Sequence, residues 1–259
     1  MEPIPDWKLP PGTDRGLWDY LQNEQLARRY DDSLAGTPLL EVDLRFAEEI
    51  FTEPGSLIDL GCGTGRLLTH FAEKKFSCTG VDLSESMLQV VREKAAAQKL
   101  DLESIHANLV ELDAIASEKF DYAACLFSTL GMIRGHEPRM RFLRHVHRIL
   151  KPGGKFVVHV HNRGFQLWTP GGVRWTLSQL GKRLRGRESG DRTMPQIYGG
   201  TSLSLHHFSK REILQDLRQA GFKIARCEPV STKKDGKLPA RWFLSGRRAY
   251  GFLLAAIRD

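Results

Sequence analysis

The sequence predicts an α/β fold built on short, buried, parallel strands, and three observations predict it. The first is residues 56–60, a brief apolar run with the character of a core strand. A turn of three glycines and a helical stripe of Leu67, Leu68 and Phe71 follow it. The second is the repeat of that strand–turn–helix order: residues 77–82 end on Asp82, and a helix then runs to about Lys99. The third is the helix carrying Met140, Phe142, Leu143, Val146, Ile149 and Leu150. It stops at Lys151-Pro152-Gly153-Gly154, and residues 155–161 begin a further strand.

The elements follow in chain order. Residues 1–13 hold Pro3, Pro5, Pro10 and Pro11 and are expected to form an extended arm. Helical spacing is expected from Leu17 to about Tyr30, and again from Pro38 to Phe51. In the glycine turn, Gly61, Gly63 and Gly65 let the backbone bend and approach a ligand, and Thr64 is placed to cap the next helix. A dinucleotide fingerprint needs its third glycine where Arg66 stands, so a pyrophosphate site is disfavoured. Strands are expected at about 102–107 and 120–127, the second running into Ser128-Thr129-Leu130-Gly131-Met132. After residue 161, Val173, Leu177, Leu180 and Leu184 mark an amphipathic helix with Arg174, Lys182, Arg183, Arg185 and Arg187 around them. Residues 190–200 have the character of an irregular loop, and 201–208 alternate like an added strand. Ser209-Lys210-Arg211-Glu212 is a capping box, and strands are expected at 222–227 and 247–257. A basic turn with Lys233, Lys234, Lys237 and Arg241 separates these last two.

Composition sets the outer limits. The chain has 259 residues, 41% of them hydrophobic and 27% charged, and suits one large globular domain. It has no apolar run long enough to span a bilayer, and Met1 to Asp6 lacks the features of a signal peptide. Cys62, Cys78, Cys125 and Cys227 form no C-x-x-C pair and suit buried thiols in a reducing compartment, so a cytoplasmic location is expected. The net charge of +7 is uneven. Residues 1–160 hold 19 Lys and Arg against 24 Asp and Glu, whereas residues 161–259 hold 19 against 7. The basic 163–259 region therefore suits an anionic partner: RNA, an anionic membrane surface or an acidic small molecule.

The run Asp59-Leu60-Gly61-Cys62-Gly63-Thr64-Gly65, with Gly80 to Leu88, residues 107–131 and residues 148–161, resembles the class I S-adenosylmethionine (SAM) dependent methyltransferases, of the small-molecule type. The likeness covers about residues 36–259. It implies a Rossmann-like, seven-stranded, mostly parallel sheet of order 3-2-1-4-5-7-6, with helices on both faces and the last strand antiparallel. The expected organisation is an N-terminal arm and helical cap over 1–52 and a methyltransferase domain over 53–259, with a basic insertion at 163–200.

The resemblance also implies the cofactor and its site. SAM is expected on Asp59, Gly61, Gly63, Gly65, Asp82, Leu83, Met87, Asn108, Leu109 and Phe127. Asp82 lies at a strand's carboxyl end, where its two oxygens can accept from both ribose hydroxyls. Met87 is expected near adenine. Asn108 stands where the family usually has Asp, its amide oxygen taking the exocyclic amine. Ser128 or Thr129 is expected to meet the acceptor, and Trp18, Tyr20 and Tyr30 either line the site or pack the cap. The Asn/Asp-Pro-Pro-aromatic tetrapeptide of many nucleic-acid methyltransferases is absent.

His161, beside Asn162 at the end of its strand, is the first candidate for a general base, with His206 or His207 behind it. His159 and His161 share a strand face, but no metal site is assigned. The expected function is methyl transfer to a small, anionic or lipid-like acceptor. The alternatives are an RNA (tRNA) methyltransferase using the basic C-terminal face, and a catalytically silent SAM-binding partner subunit.

Overall fold

The computed structural model describes residues 4–194, 202–240 and 243–259. After a 3-10 turn at Asp6–Lys8 come α1 (Arg15–Leu21), α2 (Glu24–Leu34) and α3 (Pro38–Ile50). The sheet then begins: β1 (Ser56–Leu60), α4 (Arg66–Glu73), β2 (Ser77–Asp82), α5 (Glu85–Gln98), β3 (Leu102–His106), β4 (Phe120–Cys125), a short α6 (Thr129–Met132), α7 (His136–Ile149) and β5 (Leu150–His161). A 3-10 turn at Arg163–Trp168 leads into α8 (Gly172–Leu184), β6 (Asp191–Thr193) and β7 (Ser204–His206). The chain closes with α9 (Lys210–Gln219), β8 (Phe222–Val230), α10 (Ser245–Arg248) and β9 (Gly251–Arg258).

The main sheet has seven strands in the order β3-β2-β1-β4-β5-β9-β8. β6 and β7 pair only with each other, so without them this is the expected 3-2-1-4-5-7-6. β3, β2, β1, β4 and β5 run parallel, and β9 lies antiparallel to both β5 and β8. Strand alternation divides the core. Ile58, Leu60, Ala123, Cys125, Val158 and Val160 meet one helix layer, which contains Phe142 and Val146 of α7 and Ile213 and Leu217 of α9. Leu57, Ala124, Val157 and Leu253 point the other way, onto Phe46 and Ala47 of α3, Leu68 and Phe71 of α4, and Leu88 and Val91 of α5.

Several local expectations are corrected. The first helical stretch is two helices, because Asn23 caps α2 by accepting from the Leu26 amide at 3.0 Å. Thr64 does not cap α4. Gly65 is the N-cap, in left-handed geometry, and the Thr64 hydroxyl donates to Asp31 at 2.6 Å instead. β5 starts five residues early because the Lys-Pro-Gly-Gly corner stays in the strand. The added strand of 201–208 contracts to β7 and joins β6 in a separate ribbon. The last strand begins at Gly251, since residues 245–248 are helical. The 195–200 part of the expected loop and Arg241 of the basic turn lie outside the described residues.

Candidate functional site

The site is built at the sheet edge where β1, β2, β4 and β5 all end. The Gly61 and Cys62 amides both donate to the Val81 carbonyl, at 2.8 and 3.1 Å, which stitches the turn after β1 to β2. The three glycines have positive φ and distinct surroundings. A Cβ on Gly61 would strike the Thr129 methyl at 2.3 Å, and one on Gly65 would strike Val91 at 2.9 Å. A Cβ on Gly63 would meet only Tyr30, at 3.6 Å, because this glycine faces open space under the cap.

Asp82 closes the turn from the next strand. Its Oδ2 accepts from the Gly63 amide and its Oδ1 from the Ser84 amide, both at 2.8 Å. Burial pushes its carboxyl above the ordinary range, while the Ser84 and Gly63 amides pull it the other way. Each oxygen keeps a lone pair beyond these bonds. Asp59, behind the turn, is also buried. Burial raises it to about 7, against the pull of Arg66, and the Asp82 and Asp43 carboxylates raise it further.

Two cavities meet at this edge and share Gly61, Gly63, Thr129, Met132 and Tyr30 in their walls. The smaller, about 100 Å³, is lined by Asp82, Leu83, Met87, Asn108, Leu109 and Leu17 among others. The larger, about 410 Å³, is lined by Asp59, Cys62, Thr64 and Phe127 on the sheet side and by Leu34, Leu40 and Leu44 of the cap. Of the residues expected at the cofactor site, all but Gly65 reach one cavity or the other. Gly65 serves the turn as the N-cap of α4.

The cap is tied down by polar contacts that sequence reasoning missed. Lys94 of α5 contacts Asp31 at 2.5 Å and donates to the Thr64 carbonyl at 2.9 Å. Together with the Thr64–Asp31 bond, this links α2, the glycine turn and α5. Arg66 donates to the Leu40 carbonyl at 2.6 Å, and the Ser84 hydroxyl to that of Leu21 at 2.6 Å. No periodicity announces such pairs; only the Ser, Thr and Asp composition of the turns hints at them.

Asn108 has three partners. Its Oδ1 accepts from the Val110 amide at 3.1 Å, and its Nδ2 donates to the Pro11 carbonyl at 2.9 Å and to Glu111 at 3.1 Å. The arm therefore passes over the smaller cavity, held also by the Arg134 amide donating to Gly12 at 2.7 Å. An ionised aspartate here would have no proton to donate to Pro11.

At the end of β4, Phe127 and Ser128 both have positive φ, 51° and 65°, a costly conformation for side chains of this kind. It is held by the Phe127 amide donating to Asp43 at 3.2 Å, and by the Ser128 hydroxyl accepting from the His161 amide at 3.1 Å. Ser128 is buried by that contact, so of the pair only Thr129 faces the cavities. Tyr20 and Tyr30 reach the cavity walls, whereas Trp18 does not.

The three candidate histidines line neither cavity. His161 is buried against His159, His207 and Tyr250, and its Nε2 has no hydrogen-bond partner among the described residues. Burial, then the neighbouring His159 and His207, hold it well below the ordinary imidazole range, so it stays neutral and is a weak base. His206 is sandwiched between Asp191 and Glu212, each at 2.8 Å. His207 is lowered to about 4 by burial and bonds Gln166 at 3.2 Å. Glu188, Asp191 and His206 bring metal-type ligand atoms within 4.8 Å of one another. Arg139 pairs with Glu188 and Arg134 with Asp191, so the chain's own cations balance that cluster.

Residues 57–154 match the methyltransferase domain family. The ubiquinone biosynthesis O-methyltransferase of Coxiella burnetii is 30% identical over 145 residues, 54% of this chain and 59% of that one. The chain spans about half the length of the curated relatives it matches. Among solved structures, a SAM-dependent methyltransferase of Methanosarcina mazei superposes with a TM-score of 0.66 at 22% identity, covering 82% of this chain and 96% of that one. The 1,6-didemethyltoxoflavin-N1-methyltransferase of Burkholderia thailandensis, solved with bound 1,6-didemethyltoxoflavin and S-adenosylhomocysteine, gives 0.64 at 16% identity, covering 97% of this chain and 93% of that one. The likeness to the solved structures concerns the fold. Over residues 57–154 the chain is similar to the methyltransferase domain family, and its fold is that of SAM-dependent methyltransferases.

Proposed function

We propose that this chain transfers a methyl group from SAM to a small-molecule acceptor, received in the larger cavity. The observation that carries the reading is the pair of cavities joined at Gly61, Gly63 and Thr129. One is apolar with a single buried acid, Asp82. The other, about 410 Å³, is closed on its far side by the cap and is of small-ligand size.

The residues fit the cofactor. Asp82 keeps lone pairs for the ribose, and Leu83, Met87, Leu109 and Leu17 provide apolar walls for the adenine. The open side of Gly63 provides the cradle for the remainder. Bound SAM supplies an electrophilic methyl carbon. The chain's part is alignment and exclusion of water, with the cap helices and the arm covering the edge. Thr129 stands where the cavities meet and Phe127 lies in the wall of the larger one, and together they set the acceptor's approach. No base is assigned, since His161 is buried and away from both cavities. A leucine-lined acceptor cavity beside Asp31, Glu41, Lys94 and Arg66 suits an amphipathic molecule, as does the quinone-pathway relative.

Calorimetry tests the site. Asp82→Ala is expected to abolish SAM binding while circular dichroism shows a folded protein, and wild-type affinity in that variant overturns the assignment. Methyl-labelled SAM incubated with cell extract tests the acceptor. Label is expected in the low-mass, RNase-resistant fraction; label released by RNase overturns the small-molecule reading.

A further inference from the structure

The helix α8 is turned inside out relative to the other amphipathic helices. Val173, Leu177, Leu180 and Leu184 form its apolar stripe, and they are 57%, 63%, 54% and 81% exposed. Its inward side is Gly172, Trp175 and Gln179. That side is held by polar bonds: Trp175 Nε1 donates to the Asp191 carbonyl at 3.3 Å, and Gln179 Oε1 accepts from the Gly190 amide at 3.0 Å. The outward stripe is therefore the orientation in which the helix docks.

The patch extends beyond the helix. The 3-10 turn 163–168 packs against both α8 and α10. It presents Trp168, 62% exposed, with its indole N–H on the Arg247 carbonyl at 2.9 Å. Phe243 and Leu244, just before α10, are exposed as well. Trp7 is the one other exposed large hydrophobic among the described residues.

The charge around the patch has one sign. Arg174, Lys182, Arg183, Arg185 and Arg187 are exposed, and none has a carboxylate partner among the described residues. The segment's two acids, Glu188 and Asp191, are engaged by Arg139, Arg134 and His206. An aliphatic stripe flanked by unpaired cations and an exposed tryptophan matches the boundary of an anionic bilayer. Leucines enter the acyl region there, cations meet lipid phosphates and an indole sits at headgroup level. RNA fits less well, because a single strand stacks on aromatic faces and gains little from aliphatic side chains. No helix among the described residues is long and apolar enough to cross a membrane, so the contact is peripheral.

We propose that α8 and the Trp168 turn form a docking surface for the face of an anionic lipid bilayer. The surface stands independently of the methyl-transfer reading. The test is sedimentation of the full chain with large vesicles of phosphatidylcholine alone, or mixed with phosphatidylglycerol. Binding to the mixed vesicles is expected, weakening with salt, with little binding to phosphatidylcholine alone. Leu177→Glu with Leu180→Glu is expected to weaken binding about tenfold or more. SAM affinity and thermal midpoint should not change, since both side chains already face solvent. Arg183→Glu with Arg185→Glu is expected to remove the preference for anionic lipid. Equal binding to both vesicle types, or wild-type binding by the leucine variant, overturns the proposal. So does a dimer in ultracentrifugation that the leucine variant dissolves, which gives the stripe to a second copy, or RNA that displaces the chain from vesicles.

Discussion

The helices α4 and α8 have the same kind of sequence and opposite fates. Both alternate apolar and polar residues with helical period. In α4, Leu67, Leu68 and Phe71 are buried against α3, α5 and the sheet, and the polar residues face outward. In α8 the leucines face outward, and Trp175 and Gln179 hold the helix to the ribbon that follows. Helical periodicity locates a stripe but not what it faces. The facing is decided by the surface next to the helix. α4 follows β1 directly and must cover an apolar sheet. α8 follows β5 after a tight turn, on an edge lined by histidines, arginines and backbone groups that accept polar partners.

The largest expected effect tests the apolar seam. Leu68→Ala should destabilise the fold by about 3 kcal/mol in urea unfolding, because Leu68 is wholly buried and the sheet cannot collapse onto the void. A cost below about 1 kcal/mol would show the seam to be loosely packed.

The next prediction tests the polar seam. His207 packs against Trp175 and bonds Gln166, and its pKa is depressed to about 4 by burial, against about 6.5 in the unfolded chain. A group depressed in the fold contributes stability above its unfolded pKa, and that contribution is lost as pH falls. The thermal midpoint should therefore drop from about pH 6.5 toward pH 4. His207→Gln should flatten that part of the profile, and an unaltered profile would remove His207 from the seam's account.

A third, smaller effect concerns the arm. Asn108→Asp loses the donor to Pro11 and sets a second carboxylate beside Glu111, at a cost of about 1–2 kcal/mol. Faster amide exchange at Gly12 and Thr13 is the expected sign; unchanged exchange would mean that the arm is held elsewhere. The smallest effect belongs to the outward stripe, where Leu177→Ala should change unfolding stability by less than about 0.5 kcal/mol. A larger loss would place Leu177 in a contact the exposed stripe does not make.

Most of the sheet was legible in the chain itself. Residues 56–60 and 77–82 are strands at the expected bounds, because short apolar runs closed by glycine or an acid have few alternatives in an α/β fold. The Gly61–Gly65 turn and Asp82 were legible for the same reason: a positive φ and a carboxylate at a strand end are local requirements. The split between α1 and α2 was less legible, since Asn23 caps within a stretch whose apolar spacing runs on.

What the sequence by itself determined is the α/β class, the strand order through its family likeness, and the residues that turn the chain at the ligand edge. These rest on contacts close in sequence. Only the tertiary structure decided that His161 is enclosed, that Thr64 serves Asp31 and not the helix, that Asn108 holds the arm, and that the leucines of α8 point to solvent. Each depends on a partner brought from a distant part of the chain, and local spacing carries no record of which partner arrives.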